Sequence, residues 1–134
     1  MTATIIYQGQ LRCQATHLAS QTILDTDAPV DNRGKGERFS PTDLLCISLA
    51  TCIVTTIAIK AMDMNIDMAN TTMEVTKYMV AEPRRVGKIE INLQFSPSLG
   101  LDKKQQTILE RVGNNCPVKR SLHTDVEVSL QYSW

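Results

Sequence analysis

The chain has 134 residues, of which 14 are basic and 14 acidic. The length suits one domain, 1–134, around one core. With a pI of about 6.7 there is no basic stripe of the kind that nucleic acid or an anionic membrane surface requires, so neither partner is expected.

Residues 3–17 read as two strands. Thr4–Tyr7 precedes a turn at Gln8–Gln10, and Leu11, Cys13 and Ala15 then alternate against Arg12, Gln14 and Thr16, the pattern of a half-buried strand. Cys13 lies on the inward face as a small hydrophobe. Gln21–Asp25 is a third strand. Asp25–Phe39 is a polar loop rich in charge and glycine. Its acids at 25, 27 and 31 lack the ligand order of a calcium loop. It reads either as a solvated connection or as a lid carrying an arginine to a reactive site.

Ser40, Pro41 and Asp43 form a helix start, with Asp in the place of the usual Glu of a capping box. Apolar residues then cover every side, so a long helix buried all round is expected, ending near Asn65. The apolar run is interrupted by Ser48, Thr51, Thr55 and Thr56 and closed by Lys60. That argues against a membrane span, which needs about 20 predominantly apolar residues. Asn70–Met79 and Val86–Phe95 alternate as a hairpin around a turn with Pro83, and Asp102–Val112 is a capped helix. Asn115 before Cys116 and Pro117 predicts a further helix start with Asn115 at the cap. Thr124–Tyr132 is a closing strand. The class is α+β, antiparallel sheets packed on a buried helix. That helix needs more cover than the N-terminal strands supply, which points to a homodimer.

The four cysteines are Cys13, Cys46, Cys52 and Cys116, with no C-x-x-C pair and no zinc spacing. No secretion signal is visible, so a reducing cytoplasm is expected, where a disulfide is transient and catalytic. Cys116 sits at a helix start, where unpaired N–H groups and the dipole favour a thiolate, with Lys119 and Arg120 one turn on. Cys52 is mid-helix and gains little from the dipole. An arginine from the 33–38 loop is the candidate to ionise it, Arg38 ahead of Arg33, with Arg12 on an early strand as a further possibility. At about 100° per residue, Cys46 lies roughly 120° round from Cys52 and is read as structural. His17 and His123 read as surface residues.

The stretch GKGERFSPTDLL (34–45), the spacing from Pro41 to Cys52, and NCPVKRSL (115–122) before a final strand together resemble the OsmC/Ohr family of thiol peroxidases, over essentially the whole chain. The resemblance implies an intertwined α+β homodimer with long central helices. It also implies that Cys52 attacks an organic hydroperoxide and Cys116 resolves the sulfenic acid. A dithiol reductant of the lipoyl or thioredoxin type would restore both, with no cofactor and no metal. Ohr-type members carry a Glu directly after this Pro, where this chain has Thr42; Asp43 matches other branches, so the chain stands nearer the general OsmC-like branch. Glu37 is the candidate to replace that acid and hold the arginine. Two other readings stay open. One is a non-enzymatic stress-associated or small-molecule-binding dimer. The other is a metal site of Cys52, Cys116 and His17 or His123.

Overall fold

The computed structural model describes all 134 residues. They group into two compact units, Met1–Leu45 and Cys46–Trp134.

The first unit is a three-stranded antiparallel sheet of β1 (Ala3–Gly9), β2 (Arg12–His17) and β3 (Ile23–Asp27) in the order β1-β2-β3. The β1–β2 turn has three successive residues in the left-handed region, Gly9 (φ 84°), Gln10 (φ 50°) and Leu11 (φ 62°). Gly9 adopts it without steric penalty. The third strand starts later than its periodicity suggests, because Gln21 takes φ 58° and closes a turn onto the His17 carbonyl at 2.8 Å. It then runs on to Asp27, into the stretch expected as loop.

The rest of that loop is folded. A 3-10 turn covers Val30–Asn32, and the Gly34 and Gly36 amides donate to Pro29 and Ala28 carbonyls at 3.0 and 3.3 Å. A Cβ on Gly34 would lie 1.6 Å from the Ala28 carbonyl oxygen, so only glycine fits this crossing. Ser40 and Asp43 form the expected reciprocal cap: Ser40 Oγ accepts from the Asp43 amide at 3.1 Å, and Asp43 Oδ2 accepts from the Ser40 amide at 2.7 Å.

Helix α1 (Pro41–Met62) follows, and from Cys46 onward it belongs to the second unit. That unit continues with β4 (Thr72–Val80), β5 (Arg85–Gln94), α2 (Lys103–Gly113), α3 (Pro117–Ser121) and β6 (Glu127–Ser133). β4 and β5 pair as the expected antiparallel hairpin, but β6 pairs with β5 in parallel. The sheet is therefore mixed. A parallel neighbour needs a long crossover, and α2 with α3 supplies it.

The core is made by Leu49, Ala50, Ile53, Ile57 and Ala61 of α1, Ile89, Ile91 and Leu93 of β5, and Leu109 of α2. So α1 buries one stripe, not its whole circumference: Ile59 and Met62 are 66% and 73% exposed. One three-stranded sheet covers one side of a helix, and the remaining apolar side is left uncovered in the single chain. By length and hydropathy alone α1 could cross a membrane; its buried stripe is instead part of this core. At the C-terminus Phe95 stacks on Trp134 at 3.9 Å between ring centres, and the indole N–H donates to Glu110 at 2.9 Å.

Candidate active site

Cys52 lies half-buried in the middle of α1, next to the buried Ile53. The threonines that interrupt this apolar helix turn their hydroxyls back onto it. Thr56 and Thr55 donate to the Cys52 carbonyl at 2.6 and 3.2 Å, and Thr51 donates to Ile47 at 2.8 Å. These polar side chains are thereby satisfied within the helix.

Cys116 comes near Cys52 because of how α2 ends. A Cβ on Gly113 would lie 2.7 Å from the Ile57 side chain and 3.2 Å from the Tyr132 hydroxyl, so a glycine is what lets α2 approach α1 this closely. The chain turns there, with the Cys116 amide donating to the Gly113 carbonyl at 3.3 Å. Cys116 is fully buried, and Cys52 is near enough to influence its titration. Cys116 itself caps α3, its Sγ accepting from the Lys119 amide at 3.4 Å. Asn115 was expected in that role. Its side chain points back instead, donating to the Arg111 carbonyl at 2.8 Å, and Pro117 at the first helical position makes the preceding cysteine the cap.

The environment also reverses the expectation of a thiolate at Cys116. Burial pushes its pKa above the ordinary thiol value, only partly opposed by the Lys119 amide, and the neighbouring Cys52 pushes the same way as burial. A five-residue helix has too small a dipole to overcome this. Cys116 is held as a protonated thiol beside Cys52. Tyr132 is pushed up to about 12, by burial first and then by the negative charge of Glu110. All four cysteines are reduced; Cys46 is buried and Cys13 half-buried.

Within the first unit, Arg12 is gripped by two carboxylates. It is the cross-strand partner of Asp27. Its Nε and one terminal nitrogen donate to the two Asp27 oxygens at 2.6 and 2.7 Å, and the same terminal nitrogen donates to Glu37 at 2.7 Å. Asp27 also accepts from the Glu37 amide at 3.0 Å and is 2% exposed. The Arg12 hydrogen bond holds its carboxyl down at about 2, while burial acts in the opposite direction. Glu37 therefore pairs with Arg12. Arg38 is exposed and donates to the Glu37 main-chain carbonyl at 3.0 Å.

Asp27 is the residue that sequence reasoning missed. Its signal lies in the strand register, which sets Asp27 opposite Arg12, and not in any local motif. His17 and His123 are exposed, His17 against Ser20 and His123 beside Asp125. No three His, Cys, Asp or Glu side chains are grouped to hold a metal ion.

A mid-helix thiol and a buried second thiol thus stand near each other on an α+β scaffold, both reduced. The family model for OsmC-like protein matches residues 34–131, and the chain belongs to the OsmC-like family. A solved structure from Psychrobacter arcticus, described provisionally as an osmotic stress induced and detoxification response protein, is 51% identical with a TM-score of 0.94 over 98% of this chain and 95% of that one. An organic hydroperoxide resistance protein OsmC from Legionella pneumophila shares the fold at 19% identity and TM-score 0.77, covering 100% of this chain and 98% of that one. The organic hydroperoxide resistance protein OhrB of Bacillus subtilis does so at 18% identity and TM-score 0.66, over 99% and 98%. No curated protein sequence matches the chain.

Proposed function

We propose that the protein is a cytoplasmic thiol peroxidase that reduces organic hydroperoxides and works as a homodimer. The observation that carries this reading is the close packing of the end of α2 on α1, Gly113 against Ile57, which sets the buried Cys116 near Cys52. In the first step the Cys52 thiolate attacks one peroxide oxygen. An S–O bond forms, the O–O bond breaks, and the departing alkoxide takes a proton to leave as alcohol. Cys52 becomes a sulfenic acid. The Cys116 sulfur then attacks the Cys52 sulfur; an S–S bond forms and hydroxide leaves with the Cys116 proton as water. A dithiol, oxidised to its own disulfide, returns both thiols to the reduced state. Retaining the proton on Cys116 until this second step leaves one negative charge, not two, on the pair.

The apolar face of α1 around Cys52 favours organic hydroperoxides over hydrogen peroxide. The detoxification described for the Psychrobacter arcticus relative fits the same role. An arginine is proposed to serve the thiolate. Arg12 is preferred over Arg38, since Asp27 and Glu37 fix its guanidinium and so supply the acid that Thr42 does not. The homodimer is supported by the first unit, whose sheet leaves Ile5, Ile6, Tyr7 and Ile23 exposed and has no buried apolar side chain. A lone three-stranded sheet of that kind needs covering.

The test is peroxide consumption with cumene hydroperoxide and with hydrogen peroxide, each with dithiothreitol. Wild type is expected to favour cumene hydroperoxide, Cys52→Ser to lose turnover, and Cys116→Ser to form the sulfenic acid once without closing a disulfide. Arg12→Lys is expected to lower kcat/KM more than Arg38→Lys. A wild type no faster than Cys52→Ser would leave a binding dimer as the remaining reading.

A further inference from the structure

The corner between α2 and α3 carries a charge arrangement that this chemistry does not use. The Lys119 ammonium donates to Asn114 Oδ1 at 2.8 Å, and the Arg120 guanidinium donates to Asn115 Oδ1 at 3.2 Å. Both asparagines are themselves anchored, Asn114 to the Glu110 carbonyl at 3.0 Å and Asn115 to the Arg111 carbonyl at 2.8 Å. The two cations are therefore held in place by neutral amides, which order them without cancelling their charge. Of the neighbouring acids, Asp125 lies between Arg85 and His123, and Glu110, which accepts from the Trp134 indole and keeps its charge, offsets one of the three cations Arg111, Lys119 and Arg120. In a chain whose formal charge sums to zero, this pair is a local positive excess, with the exposed Arg111 alongside.

Its position is specific. The Lys119 amide is the donor that contacts Cys116 Sγ. Successive residues diverge by about 100° around a helix axis, and each cation is tied to a different asparagine, so the two cannot converge on one small anion. They suit an extended acidic surface. Complementing the carbonyls at the end of α3 would not require the asparagine braces.

We propose that this corner docks the electron donor of the cycle, and that the donor is a dithiol carried on an acidic protein segment. The inference rests on the peroxidase reading. The donor's first thiolate attacks the Cys52–Cys116 disulfide to form a mixed disulfide. Its second thiol displaces the enzyme sulfur, so the donor leaves oxidised and both enzyme thiols are restored.

The test uses the full-length protein with cumene hydroperoxide and three reductants. These are dithiothreitol, a two-cysteine peptide flanked by glutamates, and the same peptide flanked by serines. At low salt the acidic peptide is expected to exceed the neutral one by about tenfold in kcat/KM. The gap should close as the screening length falls to about 3 Å near 1 M salt. Arg120→Glu is expected to abolish or invert the preference while turnover with dithiothreitol stays at the wild-type rate. Equal kcat/KM for the two peptides in wild type, or an unchanged preference in Arg120→Glu, overturns the docking proposal while turnover with dithiothreitol leaves the peroxidase intact. Absence of turnover with all three reductants overturns both.

Discussion

The two units keep their shape by different means. In residues 46–134 an apolar cluster from α1, β5 and α2 excludes water from side chains such as Leu49, Ile53, Ile57 and Ile89, each 0% exposed. In residues 1–45 the buried residues are Asp27 and Ser40, and the organising contacts are polar: the Arg12 fork, the Asp43 cap and the loop amides. A buried ion pair of this kind adds little net stability against an apolar replacement, but it fixes geometry, and losing one partner is costly. The second unit should therefore respond to changes in volume. The first should respond to pH and to whatever covers its sheet.

The largest effect is expected at the centre of the apolar cluster. Ile53→Ala leaves a cavity beside Cys52 and should destabilise the protein by about 2–5 kcal/mol in denaturant titration. An Ile53→Ala protein as stable as wild type would break the contrast between the units. Gly113→Ala comes next. Its Cβ must displace Ile57 and Tyr132, and overpacking of this kind costs about 1–3 kcal/mol. It should also slow closure of the Cys52–Cys116 disulfide after a peroxide pulse, measured by the loss of free thiols.

The first unit is sharpened by acid. The Asp27 carboxyl is held down at about 2 in the folded chain, against about 3.9 for an unperturbed Asp. Its contribution is therefore present above the unfolded value and is lost as pH falls from about 4 toward 2. Asp27→Asn should flatten that acid limb in a pH series of unfolding midpoints. The smallest stability effect belongs to the exposed strand: Ile5→Ala should stay within about 0.5 kcal/mol in a monomer. Ile5→Asp sharpens the homodimer proposal, because it should lower the dimer fraction in sedimentation at fixed concentration. An unchanged dimer would show that this sheet is not the covered surface.

Much of this was legible in the sequence. Period-two alternation located the strands to within a few residues, and the Ser40–Asp43 cap set the start of α1. The later motif identified Cys116 as a thiol at a helix start. What stayed hidden had no local signature. The parallel pairing of β6 depends on where a crossover returns the chain. Asp27 looked like one more acid in a polar loop until the register set it opposite Arg12. Glu37 was legible as a carboxylate that grips an arginine, but the sequence suggested Arg38, and only folding brought Arg12 to it.

The sequence by itself determined the α+β class, the helix that carries Cys52, and the two thiols worth attention, because periodicity, capping and turn chemistry act over a few residues. Only the tertiary structure decided that Cys116 caps α3 as a buried, protonated thiol near Cys52. That outcome depends on Gly113 meeting Ile57, residues far apart in the chain, and on a desolvation cost that exists only once the core has closed around the sulfur.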